Sequence, residues 1–144
     1  MMVFTIRAIM EVIGHPEQHV NDVSLKVLEQ LKKEDGITII NSNVNKAELV
    51  KENIFASHIE AELKVVGMLK LLTFCYDYLP SSLEVVDSEK IVMPVREVNA
   101  ALSEMLRKLH GYNLMLHNLA ETNKELLEKP KSVQDPKENN IKEQ

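Results

Sequence analysis

Apolar and polar positions alternate one by one over two stretches of the chain. From Val3 to Ile13, Phe4, Ile6, Ala8, Met10 and Val12 fall on one side, and Thr5, Arg7, Ile9, Glu11 and Ile13 on the other. From Phe55 to Val65, Phe55, Ser57, Ile59, Ala61, Leu63 and Val65 alternate with Ala56, His58, Glu60, Glu62 and Lys64. Successive side chains of a strand point to opposite faces, so both stretches predict strands with one buried face. Between them the period changes. Val20, Val23, Val27, Leu28 and Leu31 recur at helical intervals, and the helix they predict opens at Pro16, with Glu17 in its first turn, and closes at Asp35-Gly36. Ile37 to Ile40 resumes as a strand. The polar stretch Asn41 to Asn53 has weak periodicity and reads as the end of that strand followed by a hairpin loop.

Met68 to Val86 holds a helix, a stop and a return strand in succession. Leu69, Leu72, Cys75, Tyr76 and Leu79 outline an apolar stripe; Pro80 cannot continue the helix and biases Leu79 out of helical geometry. Ser81 and Ser82 make the turn, Leu83 to Val86 forms a strand, and Ile91 to Met93 is a candidate extension of it. The order βαββαβ is that of a ferredoxin-like α+β sandwich over residues 1–93, a four-stranded antiparallel sheet covered by two helices.

Pro94 then opens a long C-terminal helix to about Lys129. Val98, Leu102, Met105, Leu109, Tyr112, Leu116 and Leu119 are spaced alternately four and three apart, a heptad-like seam that calls for a partner helix. About 35 residues at ~1.5 Å each would reach roughly 50 Å, longer than a small sheet can cover, unless Gly111 divides the run. The segment 130–144 is polar and carries almost no apolar anchors, so it is expected to be disordered.

Composition narrows the function more than the fold. The chain has 144 residues, enough for one core without disulfide or metal staples. Aromatic residues make up 4%, so the core must be aliphatic. A net charge of -5 gives no general attraction to phosphate backbones or anionic membranes, and no nucleic-acid partner is expected. Cys75 is the sole cysteine, which excludes an intrachain disulfide and suits a cytoplasmic protein. No run reaches the roughly 18 apolar residues of a membrane span, and Arg7 and Glu11 interrupt the N-terminal stretch that a signal peptide would need unbroken.

Catalytic motifs are missing. There is no glycine-rich phosphate loop, nucleophile elbow or CxxC, and no cofactor is implied. His58, Glu60 and Glu62 lie on the polar side of one strand, next to Glu11 if that strand pairs with the first; an imidazole among carboxylates could hold a divalent ion or act as acid and base. A solvated sheet face is the simpler account. His15 and His19 are four apart but have no third ligand nearby, and His110 and His117 share a face of the long helix. Cys75 lies near a helix C-terminus, which does not activate a thiol, so packing is its expected role. Asp77 stands at the negative end of that helix, a local conflict that marks Tyr76 and Asp77 as candidate ligand contacts.

The segments IGHPEQHV, FASHIEAELKV and FCYDYLPSSLEVV, followed by a long helix, resemble those of a group of uncharacterised archaeal proteins, up to about Leu119. That resemblance carries no catalytic residues over. A strand, Gly14, a helix and DGITIINSNV also resemble an ACT-type regulatory domain. The latter resemblance implies small-ligand binding at the first strand-helix turn, here Gly14, His15, Pro16, Glu17 and Gln18, and at subunit interfaces. Three functions follow, in this order: a non-catalytic interaction module that forms a homo-oligomer through the long helix and sheet, an ACT-like ligand-sensing domain, and a metal-dependent enzyme using His58, Glu60 and Glu62.

Overall fold

The structure, a computed structural model, describes residues 2–87 and 89–143, with side chains through 128. Strand β1 (Val3–Gly14) leads into helix α1 (Glu17–Lys32); β2 (Ile37–Val44), β3 (Glu48–Lys51) and β4 (Ile54–Val66) follow, then α2 (Met68–Tyr78), β5 (Ser82–Val85) and α3 (Val95–Glu143). By compactness the chain divides into two units, Met1–Ser103 and Glu104–Gln144.

The first unit is α+β, built on a five-stranded sheet of order β2-β4-β1-β5 in which β3 also pairs with β4. All four pairings are antiparallel. The two strands with strict alternation form the centre: β1 and β4 pair from Val3 opposite Val66 to Gly14 opposite Phe55. On the far side of β1, β5 covers only Ile6 to Ile9.

The polar stretch expected to end β2 and then form a hairpin loop does continue β2, but much of the expected loop is a further strand. β2 runs through Val44 and pairs with β4 as far as Ile59, the Asn45 amide donates to the His58 carbonyl, and β3 then pairs with Ala56, Phe55 and Ile54. β2 and β3 thus follow one another along the same edge of β4, and the sheet has five strands rather than the expected four. Two irregularities hid this from the sequence. The register shifts between Ile39 and Asn41, which switches the side-chain alternation at Ile40. At Ala47 the chain turns inward, held by a hydrogen bond of 2.8 Å from its amide to Asn21 Oδ1 on α1. Asn53, at φ 58°, closes the hairpin in a left-handed conformation that asparagine tolerates.

Helices α1 and α2 cover one face. The core joins Phe4, Ile6, Ala8 and Met10 of β1 with Ile59, Ala61, Leu63 and Val65 of β4, and closes with Leu31 of α1 and Leu71 and Phe74 of α2. α2 turns a different side inward from the one expected. Leu71 and Phe74 are buried and Phe74 stacks on Tyr78 at 5.3 Å, whereas Leu69 and Leu79 of the expected stripe are exposed. This helix is apolar on nearly every side, so its period allowed two stripes, and the one carrying the larger aromatic area faces the sheet.

Leu79 caps α2 in the left-handed region, its amide bonded to the Cys75 carbonyl, where Pro80 requires the helix to stop. Ile91 to Met93 does not extend β5; it is irregular, and Met93 packs against the core. α3 starts directly after Pro94, whose carbonyl accepts the Glu97 and Val98 amides, and it is continuous through Gly111. The tail expected over 130–144 falls outside the residues described with side chains. Among the described residues no helix is long and apolar enough to cross a membrane.

Candidate functional site

The sheet face opposite the helices carries the polar members of the alternation. Register sets them in rows: Glu84, Arg7, Glu62 and Asn41 lie side by side across β5, β1, β4 and β2, and Ser82, Ile9, Glu60 and Asn43 form the next row. Arg7 therefore stands between two carboxylates, with its Nε 3.7 Å from Glu62 Oε2. One row further, His58 Nε2 lies 3.8 Å from Glu11 Oε2, the neighbour expected from the sequence. These pairs are substantially exposed to water and contribute little stability.

The two rows line an open groove of about 370 Å³. Its chemistry is that of hydrogen bonding and ion pairing: three carboxylates, one guanidinium, two amides and two hydroxyls over Ile9 and two alanines. Glu60 and Glu62 were legible as outward-facing. Arg7, Asn41, Asn43, Ser82 and Glu84 were not singled out, although the parity of β1 would have placed Arg7 beside Glu62 once the pairing was known. His58 does not line this groove. Among the described residues no group of three or more His, Cys, Asp or Glu side chains is placed to hold a metal ion.

The β1-α1 turn is tied up locally. The Pro16 carbonyl accepts the Val20 amide at 3.2 Å, and Gln18 Nε2 donates to Asp22 Oδ1 at 2.9 Å. Tyr76 and Asp77 sit in the last turn of α2, which is joined to β1 through the Ser81 amide and hydroxyl, both donating to the Ile9 carbonyl. Neither the groove nor a second, mostly apolar cavity of about 350 Å³ beside Leu69, Thr73 and Ala100 is lined by Gly14, His15, Pro16, Glu17, Gln18, Tyr76 or Asp77. Burial pushes the Cys75 thiol above its ordinary value, away from the thiolate that nucleophilic attack requires.

A cluster invisible to local sequence reading joins the ends of α1 and α2. Lys70 Nζ donates to Glu34 Oε2 at 2.7 Å, and the Tyr78 hydroxyl donates to Glu34 Oε1 at 3.3 Å. The Lys70 hydrogen bond holds the Glu34 carboxyl below its usual range. Burial, and then the charge of Glu34, pushes the Tyr78 phenol up to about 12. Gly36, at φ 81°, lets the chain turn here, and a Cβ at this position would meet the Lys70 side chain at 3.3 Å.

The seam positions of α3 divide between the units. Val98 and Leu102 belong to the first; Leu109, Tyr112, Leu116 and Leu119 belong to the second and are exposed, as is Leu126. Met105 is half-buried. Along the same helix Glu104 and Arg107 form a two-bond pair at 2.6 and 3.0 Å, which lowers the Glu104 carboxyl from its ordinary value.

No curated protein and no solved structure matches the chain. A family named after a Methanocaldococcus protein matches residues 5–142, nearly the whole length. The chain therefore belongs to the MJ0538 family.

Proposed function

We propose that the chain is a non-catalytic assembly module, a ferredoxin-like unit that self-associates through α3. The order β2-β4-β1-β5, with both helices on one face and β3 continuing the edge begun by β2, supports the ferredoxin-like arrangement. The observation that carries self-association is the exposure of a leucine series at heptad spacing: Leu102, Leu109, Leu116 and Leu119 show 47%, 48%, 65% and 54% of their surface. Isolated exposed leucines are ordinary, but a series along one helix edge marks an interaction face.

Sedimentation of the full chain at micromolar concentration tests it. The expected species is a dimer or larger, and the double substitution Leu109→Glu with Leu116→Glu should raise the dissociation constant by roughly a hundredfold or more, because it would bury unpaired carboxylates. A wild-type monomer would refute self-association.

One observation supports a second function, small-ligand sensing at the sheet groove rather than at the β1-α1 turn: its volume lies in the range of small-molecule sites. A ligand at 100 times its dissociation constant raises stability by about 2.7 kcal/mol, so melting curves with amino acids and nucleotides decide it. Unchanged curves remove it.

A further inference from the structure

The heptad frame that aligns the leucines also fixes one polar position inside the seam. With Leu102, Leu109 and Leu116 at a, the next a residue is Asn123, which is followed at d by Leu126. An amide at a is disfavoured opposite an aliphatic side chain and favoured opposite a second amide, which is how one asparagine sets register and two-chain stoichiometry in parallel coiled coils. We infer that the occupant of the α3 seam is a second copy of this chain, running parallel and in register, with the two Asn123 side chains paired across the axis.

Orientation follows from comparing the alternatives. Antiparallel packing sets a against d, so registers that use the length of the seam bring Asn123 opposite Val98 or Met105, neither of which offers an amide. A third antiparallel register brings it opposite Tyr112, but leaves Leu102 and Met105 outside the contact. Parallel alignment retains every layer from Val98 to Leu126, about 42 Å of helix. A strip that long and one helix diameter wide presents on the order of 450 Å² per chain before side chains interdigitate, which brings the pair to the roughly 1,000 Å² of a specific interface.

This inference rests on the self-association proposed above, and its test separates the two. Met105→Cys and Leu126→Cys are made singly in the full chain and held in a glutathione redox buffer, with the unmodified chain and its Cys75 as the control. In the parallel dimer each new thiol faces its own counterpart, so both variants should give a covalent dimer on a non-reducing gel. In every antiparallel register considered, both positions lie well beyond disulfide reach of their counterparts. Sedimentation is run alongside. A monomer refutes self-association itself; a dimer that bridges at neither position overturns only the parallel register. Asn123→Leu should shift the mass from two chains to a mixture of three and four, and an unchanged dimer would overturn the role assigned to Asn123.

Discussion

At the scale of single residues, Glu34 has the most to lose. It accepts hydrogen bonds from both Lys70 and Tyr78, and the Lys70 and Glu34 side chains are about one-quarter exposed. Glu34→Gln should cost about 1 kcal/mol by chemical denaturation, since water screens part of the pair. The same change should bring the Tyr78 phenol down from about 12 toward an ordinary tyrosine value, read by ultraviolet titration of tyrosinate. The two shifts also set opposite pH limits. Because the folded-state value of Glu34 is lowered, its contribution is present above the ordinary carboxylate range and lost as pH falls through the folded value. Because that of Tyr78 is raised, its contribution is present below about pH 10 and lost as pH rises toward about 12. Melting temperature measured across pH should therefore decline at both ends.

At the scale of elements, α2 depends on the side it turns inward. Phe74 is 1% exposed, so Phe74→Ala should cost about 3–5 kcal/mol in denaturant unfolding, whereas Leu79→Ala, at a 74% exposed position, should stay within about 0.5 kcal/mol. Reversed magnitudes would restore the stripe read from the sequence. Gly111 lies inside α3 with open space around the position of a Cβ. Gly111→Ala should accordingly raise helix stability by about 1 kcal/mol, visible in thermal circular dichroism.

The elements differ in how legible they were, for physical reasons. β1 and β4 each bury one face, which forces a strict period of two, and that alternation stands in the sequence from Phe4 to Met10 and from Ile59 to Val65. α2 could be recognised as a helix but not oriented, because apolar residues surround it. The β2-β3 edge was obscured by the shift at Ile40 and by Ala47, whose inward turn depends on Asn21, 26 residues away. Glu34, Lys70 and Tyr78 are separated by 36 and 44 residues, and only tertiary packing brings them together. The sheet groove was half legible: the outward carboxylates of β4 were evident, but their partners on β1, β2 and β5 required the register.

For the whole molecule, the limited reach of β5 determines how the sheet meets solvent. The Ser81 amide donates to the Ile9 carbonyl and the Val86 amide to that of Thr5, so the odd-numbered residues of β1 turn their peptide groups toward β5. β5 pairs only with Ile6 to Ile9, and among the described residues no strand borders that side of Glu11 and Ile13. Their amide protons should exchange with deuterium far sooner than those of Arg7 and Ile9 on the same strand. This bare ribbon is also where a foreign β-segment would attach if the protein were crowded, and the carboxylate of Glu11 is the one charge on it that would repel an acidic newcomer.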